Sequence, residues 1–188
     1  MGKGESFRDT LLTMSYMGTD AIVMRHSAEG APLYATKAVD PIIINAGDGA
    51  HEHPTQALLD MYSILEKKES LEGLKVVIIG DIMHSRVARS NIYGLTKMGA
   101  DVHLAGPRTM VYPELEKLGV TVHHDIREAV ANADVVNVLR IQLERIHSAL
   151  YPTNREYARI FGINNEVLKL AKDDVMAVSY THLRAHET

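Results

Sequence analysis

The stretch HEHPTQALLD (51–60) concentrates two imidazoles, a carboxylate and an amide directly ahead of an apolar helical pattern. A zinc-protease arrangement would need H-E-x-x-H on one helix, but His53 follows Glu52 immediately, so His51 and His53 diverge and no third ligand lies nearby. With that spacing the stretch is not expected to hold a metal. Pro54 instead suits the first turn of a helix, where its missing N–H costs nothing. His53 then falls in the cap region, and Ala57, Leu58, Met61, Ile64 and Leu65 form an apolar stripe. A capped core helix does not account for the long polar loop GDGAHEH before it. At the carboxyl end of a strand in a parallel sheet, such a loop lies where ligands bind. The free N–H groups of the helix start favour an anion or a polarised oxygen there. The same positive end should keep His53 neutral, as a hydrogen-bond donor.

Three arginines follow strand-like runs in the same way. Arg25 and His26 come after AIVM, Asp81 to Arg86 after KVVIIG, and Arg140 to Gln142 after DVVNVL. One such arginine is ordinarily a surface residue, but three together with His53 suggest a site for anions, because the guanidinium fork matches carboxylate and phosphate oxygens. Arg25, His53 and Gln56 belong to the first half of the chain, Arg86 and Arg140 to the second. One anionic ligand on each half, meeting in a cleft, is the expected arrangement. Lys3, between glycines, adds a cation in a loop ahead of the first helix.

These side chains must be carried by alternating strands and helices. AIVM (21–24), PIIIN (41–45), KVVIIG (75–80), DVHLAG (101–106), VTVHH (120–124) and DVVNVL (134–139) read as buried strands. Helical patterns run over about 5–17, 54–68, 86–98, 112–118, 126–132, 155–161 and 164–171. The fold class is α/β, with parallel sheets covered on both faces. The charged segment EKKESLEGLK (66–75) marks a boundary, so residues 1–69 form a first unit with a linking helix and 70–178 a second. With two strands, the first unit is expected to be incomplete. KDDVMAV reads as the start of another buried strand, and residues 179–188 (SYTHLRAHET is the final polar run) as a non-native tail.

Of the 188 residues, 46% are hydrophobic and none is cysteine, which excludes disulfides and thiolate chemistry and fits a cytoplasmic location. A net charge of −4 provides no nucleic-acid footprint, and no apolar run is long enough for a membrane span. After KVVIIG the G-x-G-x-x-G fingerprint is missing, so a Rossmann-like unit here is not expected to bind a dinucleotide.

Taken together, KGES-F-RDT (3–10), MRH (24–26), NAGDG with HPTQALLD (45–60), GDIMHSRVARSN (80–91) and RIQLER (140–145) resemble the aspartate branch of the aspartate/ornithine carbamoyltransferase family, in order and across nearly all of residues 3–178. The resemblance implies two α/β domains, one per substrate. Residues 1–69 would bind carbamoyl phosphate and 70–178 aspartate. Arg25 would meet the phosphate, His53 the carbonyl oxygen and Gln56 the carbamoyl amide. Arg86 and Arg140 would hold the aspartate carboxylates, with Gln142 beside them. Lys3 would reach a neighbouring subunit's site, implying a homotrimer with shared active sites, with or without regulatory chains. The implied role is in pyrimidine biosynthesis, by direct attack of the aspartate amine and without metal or organic cofactor; His53, Arg25 and Lys3 would be catalytic. Two blocks of the family pattern, S-T-R-T-R before residue 1 and H-P-x-P after Met176, are not in this sequence, so it is expected to be an inactive piece of an active enzyme. Ornithine carbamoyltransferase is the near alternative, disfavoured because a cationic side chain has no use for the second arginine of R-x-Q-x-E-R. A catalytically dead assembly module is the alternative from another class.

Overall fold

The computed structural model describes residues 4–139 and 153–179. Lys3, Arg140 and Gln142 lie outside these residues, as does the expected tail apart from Ser179.

Helix α1 (Phe7–Tyr16) starts at a capping box, in which the Ser6 hydroxyl accepts from the Asp9 N–H at 3.2 Å and Asp9 bonds back to Ser6. It is followed by β1 (Ala21–His26), α2 (Ala31–Ala38), β2 (Ile42–Asp48) and α3 (Pro54–Lys68). The two strands pair in parallel, Ala21 opposite Ile42. One face of this small sheet is buried by Leu11, Ala31 and Ala35 packing on Ile22 and Met24. The other leaves Val23 and Ile42 about two-thirds exposed among the described residues.

The second sheet contains β3 (Lys75–Ile79), β4 (Asp101–Ala105), β5 (Thr121–His123), β6 (Val135–Val138) and β7 (Met176–Ser179), all parallel and ordered β5-β4-β3-β6-β7. Alternate side chains point to opposite layers. Val76, Ile78, Val102 and Leu104 pack under α3 and α4 (Arg86–Lys97), with Ile64, Ile92 and Leu95. Val77, Ile79 and Val136 pack against α5 (Ile126–Val130), α6 (Asn154–Phe161) and α7 (Asn165–Leu168). From β3 the chain winds one way through β4 and β5, then returns to β6 and β7 on the other side. The crevice beyond the carboxyl ends of β3 and β6 is therefore the switch point where open α/β sheets take ligands.

All six expected strands form, but the helices differ in detail. α2 has no counterpart among the expected elements, although Pro32 in its first turn is the signal for it. Residues 113–118 form a 3₁₀ helix led by Pro113 rather than an α-helix. β7 forms where a strand is expected, but among the described residues it is the outermost strand of its sheet with Ala177 exposed, so it is not buried. Two of the five residues of the expected stripe on α3 are also outside the core: Ala57 and Ile64 are buried and Met61 packs against the core, while Leu58 is 62% and Leu65 44% exposed.

Helix α3 follows the first sheet in the chain but packs on the second beside α4, and the two helices interlock. Met61 fills the notch at Gly94, where an added Cβ would lie 2.8 Å from the Met61 methyl. No helix among the described residues is long and apolar enough to cross a membrane.

Candidate active site at the start of helix α3

The loop between β2 and α3 is organised by one buried carboxylate. Asp48, 1% exposed, accepts from the Gly30 N–H (2.8 Å), the Asn45 amide (3.1 Å) and the Glu52 N–H (3.0 Å), and lies 3.1 Å from His51 Nδ1. Burial pushes its pKa up, but the donors from Gly30, Asn45, His51 and Glu52 outweigh burial and hold it below the usual value. His51 therefore helps to fix the loop.

His53 is the N-cap residue of α3 by backbone only, since its side chain makes no cap bond. Its N–H donates to Ser90 Oγ at 2.9 Å, and that hydroxyl donates to the Glu52 carboxylate. Thus α4 holds the backbone at His53 from the other sheet. Thr55 Oγ1 lies 3.3 Å from His53 Nδ1, and a hydroxyl donating there leaves the ring proton on Nε2. The imidazole pKa is lowered, first by burial, then by the Arg86 and Arg25 charges; Asp60 opposes them. The neutral ring expected from sequence follows, though the dominant causes are burial and two arginines rather than the helix end.

Arg86, the first residue of α4, is 6% exposed and donates to the Gly49 carbonyl at 3.1 Å. Its guanidinium lies against Gly47: a Cβ there would come within 2.7 Å of Cζ. An arginine of the second sheet thus sits on a loop of the first. Arg25 faces the same space from β1, inside the strand and not past its end as the sequence suggested. With His26, Ser27 and Gly49 the two arginines line an open cavity of about 320 Å³. Two guanidinium groups on one cavity, with a neutral imidazole close to both, can bind an anion and polarise an oxygen beside it. Among the described residues, no group of three or more His, Cys, Asp or Glu side chains could hold a metal ion.

Gln56 lies one turn into α3 and donates from Nε2 to Asp60 Oδ1 at 3.0 Å. Asp60, 4% exposed, also accepts from Asn91 Nδ2 on α4 at 2.7 Å. Neither Asp48 nor Asp60 stood out in the sequence, because an aspartate in a polar loop or on a helix reads as solvated. Of the expected residues, Arg25, His53 and Arg86 come together, and Gln56 lies one turn further along α3, held by Asp60.

Residues 1–66 match the aspartate/ornithine carbamoyltransferase family's carbamoyl-P binding domain, and residues 72–178 its Asp/Orn binding domain. The chain is 59% identical over 176 residues to the aspartate carbamoyltransferase catalytic subunit of Desulforamulus reducens, and 60% identical over 176 residues to that of Ruminiclostridium cellulolyticum. Each alignment covers 94% of this chain and 56% of the relative, so the chain spans about half the length of the curated relatives it matches. Among solved structures, the Trypanosoma cruzi aspartate transcarbamoylase in complex with N-(phosphonacetyl)-L-aspartic acid superimposes with a TM-score of 0.80 at 30% identity, covering 94% of this chain and 59% of that one. The Pyrococcus furiosus ornithine carbamoyltransferase gives 0.78 at 30% identity, covering 95% and 59%.

Proposed function

The chain belongs to the aspartate/ornithine carbamoyltransferase family, and on that premise we propose that the full-length protein carrying it transfers the carbamoyl group of carbamoyl phosphate to the amine of L-aspartate. The products are N-carbamoyl-L-aspartate and phosphate. The observation that carries this reading is the meeting of Arg25, Arg86 and a neutral His53 at the start of α3. Aspartate is favoured over ornithine because relatives 54–60% identical bear the aspartate enzyme's name.

The chemistry asks for little beyond positioning and charge. The neutral amine of aspartate attacks the carbamoyl carbon, a C–N bond forms, and negative charge grows on the carbonyl oxygen. His53 Nε2–H stabilises that oxygen, and Arg25 holds the phosphate, which leaves with the electrons of the broken C–O bond. Gln56 receives the carbamoyl amide, and the amine's proton passes to the departing phosphate as the intermediate collapses. Arg86 and Arg140 take the aspartate carboxylates, Gln142 lies beside them, and Lys3 completes the site of a neighbouring subunit. Residues 1–69 serve carbamoyl phosphate and 70–178 aspartate, in a cytoplasmic homotrimer that feeds pyrimidine synthesis.

The test is an assay of the full-length protein with carbamoyl phosphate and either L-aspartate or L-ornithine. N-carbamoyl-aspartate is expected. Citrulline instead, or no product from either amine, would overturn the reading.

A further inference from the structure

We propose that Asp60 is a positioning residue that sets the choice of carbamoyl over acyl donors by fixing which end of the Gln56 amide faces the ligand. This rests on the carbamoyl-transfer reading above, in which Gln56 receives the carbamoyl amide.

An ionised carboxylate can only accept hydrogen bonds. Both Asp60 oxygens do so, Oδ1 from Gln56 Nε2 at 3.0 Å and Oδ2 from Asn91 Nδ2 at 2.7 Å. The Gln56 amide therefore cannot turn over: with Nε2 committed to Asp60, the group left for a ligand is the carbonyl oxygen Oε1, which has no hydrogen-bond partner among the described residues. An acceptor at that place suits a ligand N–H and offers nothing to a methyl group. Carbamoyl phosphate and acetyl phosphate differ in that one substituent, NH₂ against CH₃, and share the phosphate. The burial of Asp60 keeps water from competing for the tether, and Asn91 braces it from the other helix. The Asn91 Oδ1 atom is buried without a partner, the consequence of turning its NH₂ toward Asp60.

The experiment compares carbamoyl phosphate with acetyl phosphate as competing ligands of the full-length protein, in the parent, Asp60→Ala and Asp60→Asn. The parent should prefer carbamoyl phosphate. In Asp60→Ala the untethered amide can present either end, and the preference should fall roughly tenfold, as expected for one well-placed hydrogen bond. Asp60→Asn should keep most of the preference: its oxygen still accepts from Gln56, while Asn91 can turn over and offer Oδ1 to the new NH₂. A general loosening of the site would weaken both ligands alike and leave their ratio unchanged. An unchanged ratio in Asp60→Ala therefore overturns the proposal. Should that variant not fold, Asp60→Ser, too short to reach Gln56 but still polar toward Asn91, answers the same question with the same two outcomes. A parent that binds no carbamoyl phosphate would instead mean that the function proposed above has failed.

Discussion

The Arg86 guanidinium occupies the space that a side chain on Gly47 would need, with Cζ 2.7 Å from the position of an added Cβ. Gly47 also has φ of +119°, a conformation L side chains rarely adopt. Gly47→Ala should therefore displace Arg86 as well as strain the loop. Anion binding is expected to fall about tenfold or more, beyond what a loss of roughly 1–3 kcal/mol of stability would explain. The aspartate KM of the full-length protein, measured alongside thermal melting, separates the two, and an unchanged KM in a folded variant would refute the link.

Ser90 joins the two sheets by accepting from the His53 N–H and donating to Glu52. Ser90→Ala leaves that N–H in a partly buried site without its acceptor. The expected cost is about 1–3 kcal/mol in denaturant unfolding. Ser90→Thr, which keeps the hydroxyl, should lose less stability than Ser90→Ala, and an equal loss would assign the effect to packing.

His53 should titrate below its ordinary 6.5, held down by burial, Arg86 and Arg25 in that order. Removing a cation relieves repulsion of the imidazolium, so Arg25→Gln should raise the pKa and Arg86→Gln should raise it further. NMR titration of the His53 ring protons measures both shifts. A downward shift in either variant would contradict the geometry.

On the edge of the second sheet, His103 Nδ1 and His123 Nε2 lie 2.7 Å apart, and His103 Nε2 is 3.0 Å from Asp101. One proton fits between the two rings, and a second would set two N–H groups head to head. Burial, then the charges of His103, Lys75 and His124, lower the His123 pKa; Glu128 opposes them. Below its ordinary 6.5 the unfolded chain takes up the proton more readily than the folded one. Stability is therefore complete above pH 6.5 and declines as the pH falls through the folded value. His53, shifted in the same direction, adds to the decline. His123→Gln should flatten the pH dependence of the unfolding midpoint between about pH 7 and 5, leaving the His53 part. An undiminished slope would assign the effect elsewhere.

What the sequence made legible follows from how local each signal is. β3 is a β-branched run and β6 one interrupted only by Asn137, as buried parallel strands read, and Pro54 marks the start of α3 where it is found. Arg86 and His53 were legible as ligand groups because both follow strands whose ends must face a crevice. Their contact with one another's surroundings was not, since it depends on α4 packing across α3. Asp48 and Asp60 were hidden because burial is a property of the packed chain, and a carboxylate that organises donors has the same letter as one that meets water. Leu58 and Leu65 misled for the converse reason: an apolar residue at core spacing need not find a core within the described residues.

The interlock of Met61 into Gly94 bears on how the molecule can move. Helices α3 and α4 carry His53, Gln56 and Arg86, and they are joined by Ser90–His53 and Asn91–Asp60 as well as by that notch. A hinge that parted them would strand buried polar groups and empty the notch, at a cost of several kcal/mol. Any relative movement of the two sheets would fall where the chain leaves the helix pair, near Glu69, Gly73 and Gly80, which adopt positive φ. The ligand groups carried by this helix pair, His53, Gln56 and Arg86, are therefore held at fixed spacing by the joint itself.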